Sequence, residues 1–267
     1  MDAAVAVAHR YGLEVTEPSV VRDLSNVLVH LAPAPVIARV ATTTAAARPD
    51  GARTWLARDV AMAGWLHARG AAVVAPSDEL PPGPHDEDGL ALSFWRLVDP
   101  GAERPSAVRG GLELRVLHQR LDDFPGPLAP LSSVLDEARA LVDRCGLDAV
   151  RDPLREAREA VEESAGPAQA LHGDAHAGNL LCTGAGLLWT DFEDSCNGPV
   201  EWDLACLAFT SPDAAAALDA YGYAGGEAEL APFVEARALQ ATAWAALMAE
   251  HHPQLRPRLA QLLERWV

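Results

Sequence analysis

The sequence predicts an α+β protein in two parts, a sheet-rich region over residues 1–98 and a larger helical region over residues 99–267. Three observations support this division. Short runs of β-branched and aromatic residues, separated by turn residues, fill much of the first region. Helix-like spacing of apolar residues dominates the second region. One tight hairpin pattern interrupts those helices at residues 179–190.

The first region contains the elements of a small antiparallel sheet. In chain order, the predicted elements are a helix at 1–13, strands at 20–24, 27–31 and 36–40, a helix at 55–69 and a strand at 90–98. Gly12 and Gly70 end the two helices because glycine adopts the left-handed conformation that closes a helix. A loop rich in proline, glycine and aspartate separates the second helix from the last strand.

The second region is predominantly helical. Apolar residues recur there with a period near 3.6, which is typical of amphipathic helices. The predicted helices lie at 112–121, 131–145, 150–164, 202–209, 214–221, 228–250 and 255–266. No internal repeat or low-complexity linker interrupts this series.

The sequence His172-Gly173-Asp174, with Asn179 five residues further on, is the main functional signal of the chain. Residues 179–183 and 187–190 are predicted to form two strands around a glycine turn. Asn179 and Asp191 are each six residues from the turn centre, so we expect them to lie across the hairpin, roughly 5 Å apart at the backbone. Two oxygen-bearing side chains at that spacing can share a Mg²⁺ ion.

These residue types match the needs of a magnesium-dependent phosphoryl transfer site. Such a site uses an acidic group that orients the attacking hydroxyl, together with oxygen ligands for the metal. Asp174 precedes the hairpin and can face the same space without binding the metal. We therefore expect Asp174 to accept or orient the proton of an acceptor hydroxyl.

The segments LHGDAHAGNLL and LLWTDFEDSCNGPVEWDLACLA resemble the active-site core of the aminoglycoside phosphotransferase and choline kinase family. That resemblance implies a two-lobed protein-kinase-like fold, with an N-terminal nucleotide-binding lobe over 1–98 and a C-terminal catalytic and acceptor-binding lobe over 99–267. By position, Asp174 resembles the catalytic aspartate, and Asn179 and Asp191 resemble the metal ligands. The resemblance also implies that Asp203 holds the catalytic loop by hydrogen bonds and that His172 packs beneath it.

The same resemblance assigns a phosphate-facing position to Arg39, where the family usually carries a lysine. The chain contains no lysine at all. Asp59 falls where the family has the acidic partner of that lysine, so the expected pair is Arg39 with Asp59. Arginine stays charged and offers a planar fork to phosphate, but its geometry differs from that of lysine. An outward-facing Arg39 and an exposed helical Asp59 are the competing interpretations.

In the kinase-like plan, the strand at 90–98 leads into the connection between the lobes. The resemblance implies that main-chain groups near four consecutive residues hydrogen-bond adenine: Phe94, Trp95, Arg96 and Leu97. An ordinary core strand is the alternative, because contacts made by the main chain leave no signature in the side chains.

Other interpretations of the motif region stay open at this point. Aspartate is common in turns and at helix N-caps, so Asp174 can be an ordinary turn residue and Asp203 an ordinary N-cap. His172 and His176 are four residues apart, as in some helical zinc sites, but the intervening glycine argues against a helix. Glu193 and Asp194 can assist the metal, bind a cationic acceptor or form a solvated acidic loop.

Composition limits the partners. The 21 basic and 38 acidic residues give a formal net charge of −17, which disfavours nucleic acids and anionic membranes and is compatible with a cationic acceptor. No apolar run is long enough to span a bilayer, and the N-terminus lacks a secretory signal. The four cysteines have no paired spacing, so a reduced cytoplasmic protein is expected.

These observations predict an enzyme that uses ATP or GTP with Mg²⁺ to phosphorylate a hydroxyl of a small molecule, either an aminoglycoside-like antibiotic or a related hydroxylated amine. A metabolic kinase for choline, a sugar or an amino alcohol is an alternative. A nucleotide-binding protein without transfer activity is another, which the absence of lysine favours and the complete Asp, Asn and Asp set disfavours. The motif specifies neither the acceptor nor the oligomeric state.

Overall fold

The computed structural model describes residues 1–48, 51–164 and 166–266. The chain forms two compact units. The first comprises Met1–Pro100 and Thr183–Glu193, and the second comprises Gly101–Cys182 and Asp194–Val267. The predicted α+β class is confirmed, since an antiparallel sheet forms near the N-terminus and helices dominate the second unit. Among the described residues, no helix combines the length and the apolar character needed to cross a membrane.

The first unit is built on a five-stranded antiparallel sheet with strand order β1-β2-β3-β5-β4. The strands are β1 (Glu17–Asp23), β2 (Asn26–Ala32), β3 (Val36–Ala41), β4 (His85–Glu87) and β5 (Leu90–Arg96). Three helices accompany them: α1 (Asp2–Arg10), α2 (Thr43–Ala47) and α3 (Ala52–Ala68). The predicted loop between the second helix and the last strand thus contains one short edge strand, β4, which pairs with β5.

Side chains of β3 alternate between the two faces of the sheet, as the strand period requires. Val36, Ala38 and Val40 are buried in a core cluster that also contains residues of α1, β2 and β5. Arg39 points to the other face, where Ala41 packs with Leu56 of α3. Because β3 is the central strand, with Arg39 opposite Leu28 of β2 and Ser93 of β5, the guanidinium is held in the interior of this unit.

The second unit consists mainly of helices. These are α4 (Ala107–Leu121), α5 (Leu131–Arg144), α6 (Asp148–Ser164), α7 (Glu201–Thr210), α8 (Ala214–Tyr221), α9 (Glu227–His251) and α10 (Arg256–Leu263). The 25-residue helix α9 packs against α5, α6, α7 and α10, whereas α4 packs against α8. Helix α9 is therefore the central support of this unit.

Four short strands accompany the motif region: β6 (Gln169–Leu171), β7 (Leu180–Thr183), β8 (Gly186–Trp189) and β9 (Cys196–Gly198). Strands β6 and β9 pair antiparallel, with Leu171 opposite Cys196, so the chain enters the His-Gly-Asp segment from an ordered strand. Strands β7 and β8 form the predicted two-stranded hairpin. Within the first unit, β8 also joins the segment before β4, since the N–H of Val74 donates to the carbonyl of Trp189 (2.8 Å).

Candidate active site

The loop that follows β6 is held by the side chain of Asp203, which lies in the first turn of α7 and is fully buried. The main-chain N–H groups of His172 and Gly173 donate to its two carboxylate oxygens, at 2.8 and 2.9 Å. From the adjacent position on α7, the indole Nε1 of Trp202 donates to the carbonyl of Gly173 (2.8 Å). Three hydrogen bonds from one helix therefore fix the backbone immediately before Asp174.

Gly173 is required at this point by both conformation and space. Its φ of +85° lies in the left-handed region that L side chains rarely adopt. A Cβ on this residue would lie 1.9 Å from the carbonyl oxygen of Asp194, and a main-chain atom cannot move aside as a flexible side chain can. The close approach brings the loop directly against the chain that leads into β9.

We expect the substitution Gly173→Ala to lower the free energy of unfolding by more than the substitution Gly222→Ala. Gly222 is the matched control, since its φ is +84° and a Cβ there would meet only the end of the Arg115 side chain at 3.8 Å. Left-handed strain alone costs about 1–2 kcal/mol, whereas the clash at Gly173 adds to that cost. Urea denaturation measures both variants, and equal losses would contradict the close packing described here.

A polar chain behind Asp203 fixes that carboxylate in turn. His118 of α4 lies with its Nε2 atom 3.0 Å from Asp203 Oδ2, and its Nδ1 atom lies 2.8 Å from the hydroxyl of Tyr221. A neutral imidazole with its proton on Nε2 donates to Asp203 and accepts from Tyr221, so both contacts are satisfied. Burial, followed by the nearby negative charges of Asp203 and Glu201, raises the pKa of Tyr221 to about 12, so the phenol keeps its proton.

The carboxylate of Asp174 is held on both oxygens. Arg237 of α9 donates from Nη2 to Oδ1. Asn179 donates from Nδ2 to Oδ2 (3.1 Å), and the Nε2 atom of His176 lies 3.4 Å from the same oxygen. Burial by itself would raise the pKa of Asp174, but the charge of Arg237 and the contact with His176 outweigh it and hold that pKa well below its usual range. The group is therefore ionised and oriented.

The amide of Asn179 has its two ends in different surroundings. Its Nδ2 donates both to the carbonyl oxygen (3.0 Å) and to the carboxylate of Asp174. Among the described residues, no donor is bonded to its Oδ1 atom. An amide oxygen without a donor is a suitable ligand for a hard cation, so this side chain fits a magnesium site while it continues to hold Asp174.

The two histidines of the motif serve the loop itself. His172 is fully buried, accepts from the N–H of Asp174 at Nδ1 (3.3 Å), and accepts from the hydroxyl of Ser195 at its carbonyl oxygen (3.3 Å). His176 accepts from the N–H of Gly178 at Nδ1 (2.9 Å), which caps the short 3-10 helix at Ala177–Asn179. Within the described residues, no group of three or more histidine, cysteine, aspartate or glutamate side chains could hold a metal ion, so the zinc interpretation gains no support.

In the first unit, Arg39 connects three carboxylates. Its Nη1 atom donates to Asp59 Oδ2 (2.8 Å), and its Nη2 atom lies 2.5 Å from Asp191 Oδ1 and 3.1 Å from Glu193 Oε2. Burial alone would lower the pKa of Arg39, but the negative charges of Asp191, Glu193 and Asp59 raise it well above its ordinary value. The expected pair of Arg39 with Asp59 is present, and neither an outward-facing arginine nor an exposed aspartate describes this structure.

Further charged groups surround the cluster at Arg39. Glu193 also faces the buried Arg48, whose Nη1 atom lies 3.6 Å from Glu193 Oε1. Arg58 of α3 also reaches this residue, since its Nη1 atom donates to the carbonyl oxygen of Glu193 (3.2 Å). Three guanidinium groups therefore lie close to these carboxylates. Glu193 and the neighbouring Asp194 are 6% and 9% exposed, so the interpretation of these two residues as a solvated acidic loop is wrong.

Asp59 does more than pair with Arg39. Its second carboxylate oxygen accepts from the main-chain N–H of Phe192 at 2.8 Å. The residue before Phe192, Asp191, has a φ of +72°, which is uncommon outside glycine, asparagine and aspartate. Helix α3 thus fixes the backbone next to Asp191 from one side while Arg39 holds its carboxylate from the other.

Several main-chain donors of the segment Phe94–Leu97, near which adenine is predicted to bind, have partners within the protein. The N–H of Phe94 donates to the carbonyl of Pro82 (2.8 Å), that of Arg96 to Ala75 (3.0 Å) and that of Leu97 to Pro35 (2.8 Å). These donors are used within the first unit, because β5 continues its hydrogen bonding to its end. Trp95 is buried, and its indole Nε1 donates to Ser93 (2.9 Å). Among the described residues, the next main-chain donors, at 98 and 99, have no such partner.

Four residues around the motif were not predicted from the sequence: His118, Trp202, Tyr221 and Arg237. Trp202 binds the loop backbone directly, and His118 and Tyr221 support it through Asp203. Arg237 contacts the carboxylate of Asp174 itself. Arg237 is 8% exposed although it lies between two alanines in α9. A lone charged residue in a buried apolar stretch is unusual, and this was the one available signal in the sequence.

Comparisons with known proteins identify the family and the fold. The chain matches the model of the phosphotransferase enzyme family over residues 14–239. No curated protein matches the sequence. Choline kinase LicA from Streptococcus pneumoniae is 14% identical, with a TM-score of 0.69 and full coverage of both chains. An amicoumacin kinase solved with AMP-PNP, Ca²⁺ and its antibiotic is 12% identical, with a TM-score of 0.72 over 99% of this chain and 92% of that one.

A spectinomycin phosphotransferase solved with ADP and spectinomycin is 11% identical, with a TM-score of 0.65 over 99% of this chain and 93% of the other. These similarities confirm the predicted kinase-like fold. At such low identity these structures support the fold alone. The class of reaction is supported by the match to the family model.

Proposed function

The chain belongs to the phosphotransferase enzyme family, and on that premise we propose that it transfers the γ-phosphate of ATP or GTP to a hydroxyl of a small hydroxylated amine. Aminoglycoside-like antibiotics are members of that class of acceptor. The observation that carries the proposal is the ionised carboxylate of Asp174, which is held on both oxygens in a loop pinned by Asp203.

Asp174 is the proposed contact for the acceptor hydroxyl. A carboxylate with a depressed pKa is a weak base, but phosphoryl transfer passes through a loose transition state in which little basicity is required. Its contribution is to accept the hydroxyl hydrogen bond, align the oxygen with the phosphorus, and take the proton as the new bond to phosphorus forms.

The proposed metal ligands are Asn179, through Oδ1, and Asp191. Both are oxygen donors of the kind that Mg²⁺ prefers. When bound, Mg²⁺ would offset the negative charge of the nucleotide phosphates. Arg39 can contribute a second positive charge there, but only by exchanging part of its contact with Asp191 for a phosphate oxygen.

For the adenine base, the proposed main-chain donors are those of residues 98 and 99 rather than Phe94, Arg96 and Leu97. The N–H groups of these three residues already donate to protein carbonyls, and adenine cannot use a donor that is occupied. The carbonyl groups near the end of β5 remain candidate acceptors.

We expect ATP or GTP to raise the melting temperature of the protein only when Mg²⁺ is present. A ligand that binds only the folded state stabilises the protein by about 2.7 kcal/mol when its concentration is 100 times its dissociation constant. Differential scanning fluorimetry with each nucleotide, with and without Mg²⁺, measures this effect. EDTA added after Mg²⁺ is the control and should reverse the shift.

Transfer is tested by incubating the protein with MgATP or MgGTP and a panel of acceptors, with products detected by mass spectrometry. The panel contains aminoglycosides, other hydroxylated amines, choline, amino alcohols and sugars. A gain of one phosphoryl group on an aminoglycoside or a related hydroxylated amine supports the proposal, whereas transfer to choline, an amino alcohol or a sugar alone favours a metabolic kinase. A magnesium-dependent shift without transfer to any member would favour a binding protein instead.

A further inference from the structure

The Asp174 carboxylate has one partner that lies far from it in sequence and outside the motif. Arg237 is in the middle of α9, and its Nη2 atom donates to Asp174 Oδ1. Its Nη1 atom donates to the side-chain oxygen of Gln240, one turn further along the same helix. Arg237 and Gln240 are 8% and 1% exposed, so the guanidinium is held in a fixed place by its own helix.

The two oxygens of Asp174 are divided between two sets of partners. Arg237 holds Oδ1, whereas Asn179 and His176 contact Oδ2 from within the loop. The two loop contacts are longer, at 3.1 and 3.4 Å, and come from residues that share the same short segment. Of the described partners, Arg237 alone connects the carboxylate to a long, packed helix. Rigid elements hold a site more precisely than loops do.

Arg237 also supports the fold, because removing one partner of a buried ion pair leaves the charge of the other uncompensated. Stability alone does not require that the guanidinium bind one particular oxygen of Asp174, as it does here. The Nε atom of Arg237 is also buried without a hydrogen-bond partner among the described residues, which is itself unfavourable. The hydrogen bonds of this guanidinium instead go to Asp174 and to Gln240, which fixes its direction toward the carboxylate.

We infer that Arg237 is a positioning residue, which fixes the rotation of the Asp174 carboxylate so that Oδ2 faces the acceptor hydroxyl. The inference rests on the proposed function, because it gives Asp174 the acceptor contact. Arg237 touches neither acceptor nor nucleotide in this scheme. Its effect is geometric, and a misplacement of about 1 Å in an aligned reaction costs about 100-fold in rate.

The test compares Arg237→Met and Arg237→Lys with the wild-type protein and with Thr242→Val. Thr242 is buried in the same helix, and its hydroxyl donates to the carbonyl of Ala238 (2.8 Å). Loss of this hydroxyl therefore controls for removal of a polar group from α9. We expect Arg237→Met to lower kcat by about 100-fold while the KM values for nucleotide and acceptor change by less than about threefold. Arg237→Lys should recover part of the loss because it restores one donor.

A crystal structure of Arg237→Met gives a second readout that needs no acceptor. We expect the Asp174 carboxylate to rotate away from its position on Asn179. A carboxylate that stays in place, or a kcat that falls no further than in Thr242→Val, overturns the inference. Failure of the wild-type protein to phosphorylate any acceptor would count against the proposed function, and the position of the carboxylate in the variant would still decide the role of Arg237.

Discussion

Replacing Asp174 with asparagine is expected to reduce kcat by about 10²–10⁴-fold, the contribution typical of a positioned general base. The substitution keeps the size of the side chain and one acceptor oxygen, but it removes the charge that Arg237 and His176 now surround. Nucleotide affinity should change little, because the proposed work of Asp174 is directed at the acceptor. Steady-state kinetics on an acceptor found in the panel, together with nucleotide titration by calorimetry, measure the two quantities separately.

Asp213→Asn is the matched control for that experiment. Asp213 is exposed and caps α8 by accepting from the N–H of Ala216 (3.0 Å), a role that asparagine fills equally well. We expect its kcat to equal that of the wild-type protein. A wild-type rate in Asp174→Asn would assign the acceptor contact to another group.

The sequence was most informative where a pattern was long. Helix α8 was predicted at 214–221 and is observed at Ala214–Tyr221, and α9 was predicted at 228–250 and is observed at Glu227–His251. Many residues share one period in such elements, so the signal accumulates. The elements absent from the prediction, α2, β4, β6 and β9, are three to five residues long. So few residues define no period, and their partners across the sheet fix them instead.

The same contrast holds for the candidate site. The pair of Arg39 with Asp59 followed from a resemblance over local segments and is present in the structure. The contact of Arg237 with Asp174 spans 63 residues and depends on how α9 packs in its unit. The contact of His118 with Asp203 spans 85 residues and depends on the placement of α4. Local spacing carries no information on either distance, so these supports could be found only in the folded protein.

Asp191 has a left-handed backbone conformation and forms an ion pair with Arg39, so a substitution there can affect both. Its φ of +72° is tolerated by asparagine better than by alanine, so Asp191→Asn removes the charge and keeps the backbone. The change also takes one carboxylate away from Arg39, which retains Asp59 at 2.8 Å and Glu193 at 3.1 Å. The guanidinium therefore stays paired, and we expect the fold of the first unit to survive the substitution.

Asp191→Asn is expected to lower the affinity for Mg²⁺ in the presence of nucleotide by at least about 100-fold, since even residues that only support a metal ligand contribute 10–100-fold. The magnesium-dependent rise in melting temperature with ATP should disappear, and turnover should fall with it. Asp88→Asn is the control. Asp88 is exposed, and among the described residues other than glycine it shares a positive φ, here 50°, with Asp191 alone. If Asp191→Asn needs no more Mg²⁺ than Asp88→Asn for the same thermal shift, then Asp191 is not a metal ligand, and the magnesium ion must be held by other oxygens.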